Sequence, residues 1–245
     1  MRQKSKIYND DFYKQRNSQT QYSAKKILNI IFKIYTVESV IDFGCGVGTW
    51  LREAKKIGAK QVKGLDGDYV NRKYLVIAQN EFVATNLSQK VNLNEKYDLA
   101  ISLEVAEHLP KQRAKSFVDD LCNASDVVLF SAAIKDQGGG GHINEQRMSY
   151  WIDLFDKRGY RVNDIIRPLI WNDRRIPVWY RQNIVVFVNS NANISDVDVS
   201  DYPDIYDFVH PELYEDKIKE YEKLRNKPFV RGYLKLEKIL NKIWK

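Results

Sequence analysis

The residues best suited to chemistry lie in Val40-Ile41-Asp42-Phe43-Gly44-Cys45-Gly46-Val47-Gly48-Thr49. Three glycines at alternate positions let a chain turn sharply and let a ligand approach the backbone, because glycine carries no Cβ. A pyrophosphate-binding dinucleotide loop wants glycines at the first, third and sixth places of its fingerprint. Here the sixth place is Thr49, and the acidic Asp42 stands two positions before Gly44. A carboxylate there opposes a pyrophosphate but suits the cationic end of an amino-acid-bearing ligand. Asp66 closes the next apolar run 24 positions beyond Asp42 and is followed by Gly67. An acidic residue about 20 positions past a glycine loop accepts hydrogen bonds from ribose hydroxyls in the related dinucleotide fold.

A second group lies in Glu104-Val105-Ala106-Glu107-His108-Leu109-Pro110. If this stretch enters a helix, residues 104, 107 and 108 are related as i, i+3 and i+4 and share a face. Two carboxylates and an imidazole there form either a hydrated polar patch or a set of metal ligands. Mg²⁺ prefers oxygen ligands, whereas Mn²⁺, Fe²⁺ and Zn²⁺ accept imidazole readily. His142, another of only three histidines, follows the run Gly138 to Gly141. On such a glycine run it can close over a bound ligand as a general base; a mobile surface loop is the commoner reading of such a run.

The elements that position these groups follow from periodicity. Ser23 to Thr36 has apolar Ala24, Ile27, Leu28, Ile31 and Ile34 at helical spacing. This predicts a helix against the sheet or over the ligand mouth. Strands are expected at 39–43, 61–65, 81–85, 97–103, 126–132, 160–166 and 181–188. Helices are expected at 49–57, from the fourth strand to about Leu121, and at 144–157. Alternation of strands with helical segments predicts an α/β, doubly wound, mostly parallel seven-stranded sheet. No helical pattern separates the last two strands, so an antiparallel pair is expected at one edge. In such a sheet ligands bind beyond the carboxyl ends of the central strands, where the glycine loop, the Glu104–His108 turn and the His142 loop converge. The domain plan is a helical N-terminal segment (1–36), the α/β domain (37–190), and an acidic linker with charged C-terminal helices (191–245).

The glycine loop with Asp42 resembles the first motif of class I S-adenosylmethionine-dependent methyltransferases, which have a Rossmann-like fold. That resemblance implies S-adenosylmethionine as cofactor and S-adenosylhomocysteine as product, held by Asp42, Gly44, Cys45, Gly46, Gly48, Asp66, Gly67, Asn86, Leu87 and Glu104. Asn86 departs from the aspartate found there in many members. The Glu-x-x-Glu-His arrangement resembles ubiquinone-biosynthesis O-methyltransferases and small-RNA 3′-terminal 2′-O-methyltransferases. It implies Glu104, Glu107, His108 and His142 as ligands of a divalent metal, Mg or Mn. Many methyltransferases carry Glu-His here without metal, which leaves His142, His108 and Glu107 as acid–base residues.

From Tyr8 to about Val188 the chain also resembles bacterial methyltransferases of surface-polysaccharide (capsule) gene clusters. Carrying this are Tyr8-Asn9-Asp10-Asp11-Phe12-Tyr13, Gln21-Tyr22-Ser23-Ala24, Gly138 to Gln146 with Tyr150-Trp151, and Trp179-Tyr180-Arg181-Gln182-Asn183. It implies an acceptor that is a saccharide or a phosphorylated or phosphoramidate-bearing glycan precursor. Trp151, Trp171, Trp179 and Tyr180 are then candidates to stack on a sugar ring, with Arg174, Arg175 or Arg181 on a phosphate; packing within the fold is the alternative for each. An RNA 2′-O-methyltransferase and a non-catalytic cofactor-binding partner are the competing readings.

The net charge of +7 favours anionic partners without selecting one. Two cysteines, Cys45 and Cys122, give no disulfide framework, so a reducing, cytoplasmic setting is expected. The basic N-terminus lacks the apolar stretch of a secretory signal, and no transmembrane segment is expected. Val230 to Lys245 reads as a basic amphipathic helix for packing on its own domain, peripheral membrane contact or dimerisation, in a monomer or homodimer.

Overall fold

The computed structural model describes residues 10–190, 192, 206–233 and 236, with side chains from residue 19 onward. The chain divides into two compact units, Met1–Asp207 and Phe208–Lys245. The first opens with helix α1 (Asp10–Ile34) and continues through β1 (Ser39–Phe43), α2 (Thr49–Ile57), β2 (Gln61–Asp66) and β3 (Phe82–Ala84). Then follow β4 (Leu99–Leu103), α3 (Ala114–Ala124), β5 (Val127–Ser131), α4 (Met148–Asp156) and β6 (Tyr160–Asn163). Two short helices, α5 (Arg167–Ile170) and α6 (Val178–Asn183), precede β7 (Val185–Asn189).

The seven strands form one sheet in the order β3-β2-β1-β4-β5-β7-β6. All pairings from β3 to β5 are parallel, and β7 runs antiparallel to both β5 and β6. The fold is thus the expected doubly wound, mostly parallel sheet, with the antiparallel pair at its edge. Every residue of β4 and β5 is buried, as strands covered on both faces require. Alternate residues serve opposite layers: Val40, Leu99, Ile101, Val127 and Leu129 join one cluster with α1 and α2. Ile41, Phe43, Ala100, Val128 and Phe130 join the other with α3 and α4. Ala24, Ile27, Leu28 and Ile31 of α1 are fully buried, so this helix lies in the first layer, as its spacing predicts.

Several expected boundaries move. The stretch after β4 is no α-helix at first but a 3₁₀ turn at Ala106–His108, and α3 begins only at Ala114. Glu104 adopts φ 57°, which breaks the continuous helical face supposed for residues 104, 107 and 108. The expected strand at 181–188 is helix α6 through Asn183 and strand only from Val185. Pro177 fixes the entry to that helix, which the strand-like Ile184–Val188 run concealed. The expected sixth strand stops at Asn163, and Arg167 opens α5.

The second unit contains α7 (Pro211–Arg225), capped by His210, whose Nδ1 accepts from the Glu212 N–H at 3.2 Å. Helical backbone follows at 228–233. Most of the amphipathic segment read at 230–245 lies outside the described residues, as does most of the acidic linker. Among the described residues no helix is long and apolar enough to cross a membrane.

Candidate active site

Strand β1 delivers the chain into the glycine loop. Gly44, Gly46 and Gly48 have φ of 93°, 53° and 88°, values that side-chain-bearing residues rarely adopt. The N–H groups of Gly44 and Cys45 both donate to the Leu65 carbonyl, at 2.7 and 3.2 Å, so the loop is pinned to β2. The reasons for the glycines differ. A Cβ at Gly44 would lie 2.3 Å from Val105 Cγ2, and one at Gly48 2.8 Å from Ile77 Cγ1. A Cβ at Gly46 would meet nothing within 4 Å. The outer two glycines therefore admit the protein's own side chains, and only Gly46 turns bare backbone to open space.

Asp66 organises this end. Its Oδ2 accepts from the Gly46 N–H at 2.7 Å, while Oδ1 accepts from the Gly67 N–H at 2.6 Å and the Tyr69 hydroxyl at 2.7 Å. Asp42, 2% exposed, is held well above the usual carboxylate range, first by burial and then by the charge of Asp66. Burial also pushes the Cys45 thiol up, with Asp42 and Asp66 adding to it, so this thiol stays protonated. Beyond β3, Asn86 Oδ1 accepts from the Ser88 N–H at 3.1 Å and the Leu87 side chain is buried. The Leu87 and Gln89 carbonyls accept from Arg113 Nε and Nη2 at 3.0 and 2.8 Å. Arg113 is ion-paired with Asp120 inside the protein, and Asp120 also accepts from the Val91 N–H at 2.9 Å. No local pattern in the sequence marks this clamp, because its partners lie on a distant loop.

The second group assembles beside the first at the carboxyl ends of β4 and β5. The Glu104 N–H donates to the Ser131 carbonyl at 3.0 Å, binding the turn to β5. The Glu107 carbonyl accepts from the N–H groups of Ile143 and Asn144 at 2.9 and 3.0 Å, which draws in the His142 loop. His108 Nδ1 donates to the Gly141 carbonyl at 3.1 Å, and His142 Nδ1 donates to Glu145 Oε1 at 2.8 Å. These acceptors put the neutral-ring proton on Nδ1 of each histidine and leave Nε2 as the lone-pair nitrogen. The two rings meet edge to face at 4.8 Å between centroids. Gly139 is required for this, since a Cβ there would lie 2.3 Å from the His142 imidazole.

One potential ligand atom each from Glu107, His108 and His142 lies within 4.8 Å of the others. Glu107 is fully buried, and neither carboxylate oxygen has a well-formed hydrogen bond. Burial, and next the carboxylate of Glu104, push its carboxyl up to about 9. Glu104 stands beside this group of three, with Oε1 accepting from Asn183 Nδ2 at 3.3 Å; burial raises its carboxyl too. Sequence spacing brings forward Glu107, His108 and His142 together but misses Glu145, Gln137 and Asn183. Glu145 and Asn183 fall within the Gly138 to Gln146 and Trp179–Asn183 stretches that carry the surface-polysaccharide resemblance, but that resemblance assigns them no role.

The aromatic and arginine candidates fare differently. Trp151 is fully buried against Phe130, and Tyr180 is buried edge-on against Trp50. Arg181, 2% exposed, donates to the carbonyls of Ile176 and Trp171 at 2.9 and 3.0 Å. Arg175 pairs with Asp173 and covers the Tyr22 ring. These four pack or brace the fold, whereas Trp171 and Trp179 are half-buried and Arg174 is exposed.

Residues 15–165 match a family described as a methyltransferase domain. The ribosomal protein L11 methyltransferase of Shewanella baltica (strain OS195) is 32% identical over 104 residues, 41% of this chain. That match spans 35% of the curated relative, about a third of its length. Among solved structures, magnesium protoporphyrin IX methyltransferase from Synechocystis PCC 6803 with bound SAM is 19% identical, covers 75% of this chain and 86% of its own, and has a TM-score of 0.50. The methyltransferase domain of bacterial CtHen1 is 20% identical over 71% of this chain and 98% of its own, at a TM-score of 0.50. DesVI of Streptomyces venezuelae is 14% identical over 74% and 96%, at 0.54. With the family matched over more than half of its length and the seven-stranded sheet in place, the chain belongs to the methyltransferase-domain family.

Proposed function

We propose that this chain is an S-adenosylmethionine-dependent O-methyltransferase acting on a sugar hydroxyl, with a saccharide or phosphorylated glycan precursor of a surface polysaccharide as acceptor. The observation that carries the hydroxyl chemistry is the convergence of Glu107, His108 and His142 at the rim of the sheet, next to the glycine loop. The sulfonium of the donor is already activated, so the enzyme must deprotonate the acceptor and align it with the S–CH₃ bond.

The donor fits the other end. Asp66 offers carboxylate oxygens to ribose hydroxyls, and Gly44 to Gly48 with Cys45 and the buried Asp42 surround the methionine part. Gly67, Asn86 and Leu87 border the nucleoside, and Glu104 lies between the two ends. Gly46, with open space where a Cβ would stand, is the point of close approach.

The donor set also fits a divalent cation. Glu107 has a buried carboxylate without a well-formed hydrogen bond, and beside it stand two histidines whose Nδ1 atoms are held by a carbonyl and a carboxylate. Two imidazoles and one carboxylate suit Mn²⁺ better than Mg²⁺. A cation held there supplies Lewis-acid lowering of an acceptor hydroxyl's pKa. The chain's own residues orient and receive the proton: Glu145 fixes the His142 ring, and with no cation on it that imidazole is the base at the acceptor, whereas a bound cation takes its lone pair and leaves it a ligand. Labelled donor with panels of glycan precursors and RNA, with and without chelator, tests this reading. Methylation of a saccharide hydroxyl that chelation abolishes supports it, and full activity in chelator removes the cation. Transfer to an RNA 3′ terminus instead would favour the second reading, a 2′-O-methyltransferase, for which the same cluster and the +7 charge speak.

A further inference from the structure

Asn183 ends α6 immediately before β7 and is fully buried. Its Nδ2 donates to Gln137 Oε1 at 3.0 Å and to Glu104 Oε1 at 3.3 Å, which engages both amide hydrogens. The orientation of this amide is determined by its neighbours. Gln137 Oε1 also accepts from the Ile134 N–H at 3.2 Å, so it is the oxygen end of that side chain. A reversed Asn183 would set its oxygen against Gln137 Oε1 and Glu104 Oε1. Asn183 Oδ1 is buried without a partner, a cost the fold accepts while both hydrogens stay engaged.

Each hydrogen leads to one half of the candidate site. Gln137 precedes Gly138, whose N–H donates to Glu145 Oε1 at 2.7 Å, the same oxygen that accepts from His142 Nδ1. Glu104, in its left-handed conformation, turns the chain from β4 into the Ala106–His108 turn that carries Glu107 and His108. We infer that Asn183 is a positioning residue that holds the His142 loop and the Glu107–His108 turn in register, through Gln137 and Glu104 respectively. The inference rests on Glu107, His108 and His142 being the acceptor-activating group, and Asn183 is placed to act on them only through Glu104 and Gln137.

The experiment compares Asn183→Ala, Gln137→Ala and the double variant in full-length protein. Expected are losses in kcat of about tenfold to a hundredfold for each single change, the size that small misplacements of catalytic groups produce. The donor KM should stay within about twofold, and the double variant should be no worse than the poorer single variant. Imidazole ¹⁵N–¹H spectra supply a readout that general destabilisation does not move. With only three histidines, signals of His108 and His142 should shift and their mutual contact should weaken, while His210 stays in place as an internal reference. Additive losses, or unmoved His108 and His142 signals, would overturn the inference. Gln137 is half-buried on a loop, so its variant keeps the test decisive if Asn183→Ala fails to fold. Should the wild type prove indifferent to chelator, the cation reading falls, yet the spectra of metal-free protein still decide the role of Asn183.

Discussion

The proposed donor end and acceptor end of this site lie side by side but are built on opposite principles. At the donor end one short segment, residues 42–48, meets one carboxylate, and the polar atoms of Asp66 are satisfied by two backbone N–H groups and a tyrosine hydroxyl. At the acceptor end three segments distant in sequence converge, 104–108, 137–145 and Asn183, and the central carboxylate of Glu107 is left without a well-formed hydrogen bond. The first is a finished cradle that needs little from its ligand. The second has a deficit that a proton or a cation must fill.

The largest effect expected from breaking this contrast is on folding. Arg113→Ala strands Asp120 and frees the Leu87–Gln89 carbonyls, so denaturant unfolding should show a loss of about 3–5 kcal/mol. A loss below about 1 kcal/mol would mean the donor end does not depend on that clamp. Next, Asp66→Ala should weaken S-adenosylhomocysteine binding by about a hundredfold in calorimetry, or roughly 2.7 kcal/mol. Unchanged affinity there would remove Asp66 from the donor site.

At the acceptor end, Glu107→Gln should leave that affinity unchanged, abolish Mn²⁺ binding, and stabilise the cation-free protein at neutral pH by about 1–3 kcal/mol. The sign follows from its raised carboxyl. The folded state keeps the proton to about 9 against 4.5 ordinarily, so stability from this group is full below 4.5 and declines as pH rises towards 9. Melting temperatures across that range should fall less steeply for the variant, and parallel curves would contradict the buried-acid account. The smallest effect separates the glycines. Gly46→Ala should cost about 1–2 kcal/mol of stability from its positive φ alone, with Gly44→Ala and Gly48→Ala costing more because Val105 and Ile77 stand in the way. Donor affinity should drop out of proportion to stability only at Gly46.

The contrast also explains what could be read from the sequence. The glycine loop, Asp66 and the sheet were legible because their signals are local: a turn chemistry, a strand end and alternating apolar runs. Glu107, His108 and His142 were legible as residue types, although the helical face assumed for them gives way to a left-handed Glu104 and a 3₁₀ turn. Nothing local could have revealed Arg113, Gln137 or Asn183 as supports, since each acts on a partner brought near by the sheet. Trp151, Tyr180 and Arg181 stayed ambiguous in the sequence because side chains able to grip a sugar phosphate also fill cores and brace loops, and their burial favours packing.

The matched family span ends at residue 165, before β7. A protein shortened to that point would retain every glycine of the loop yet leave β5 with an unpaired rim, a template on which copies could add to one another. The late strand therefore covers the β5 rim and moves the open edge out to β6, and Asn183, two residues ahead of it, ties closure of the sheet to the geometry of the acceptor end.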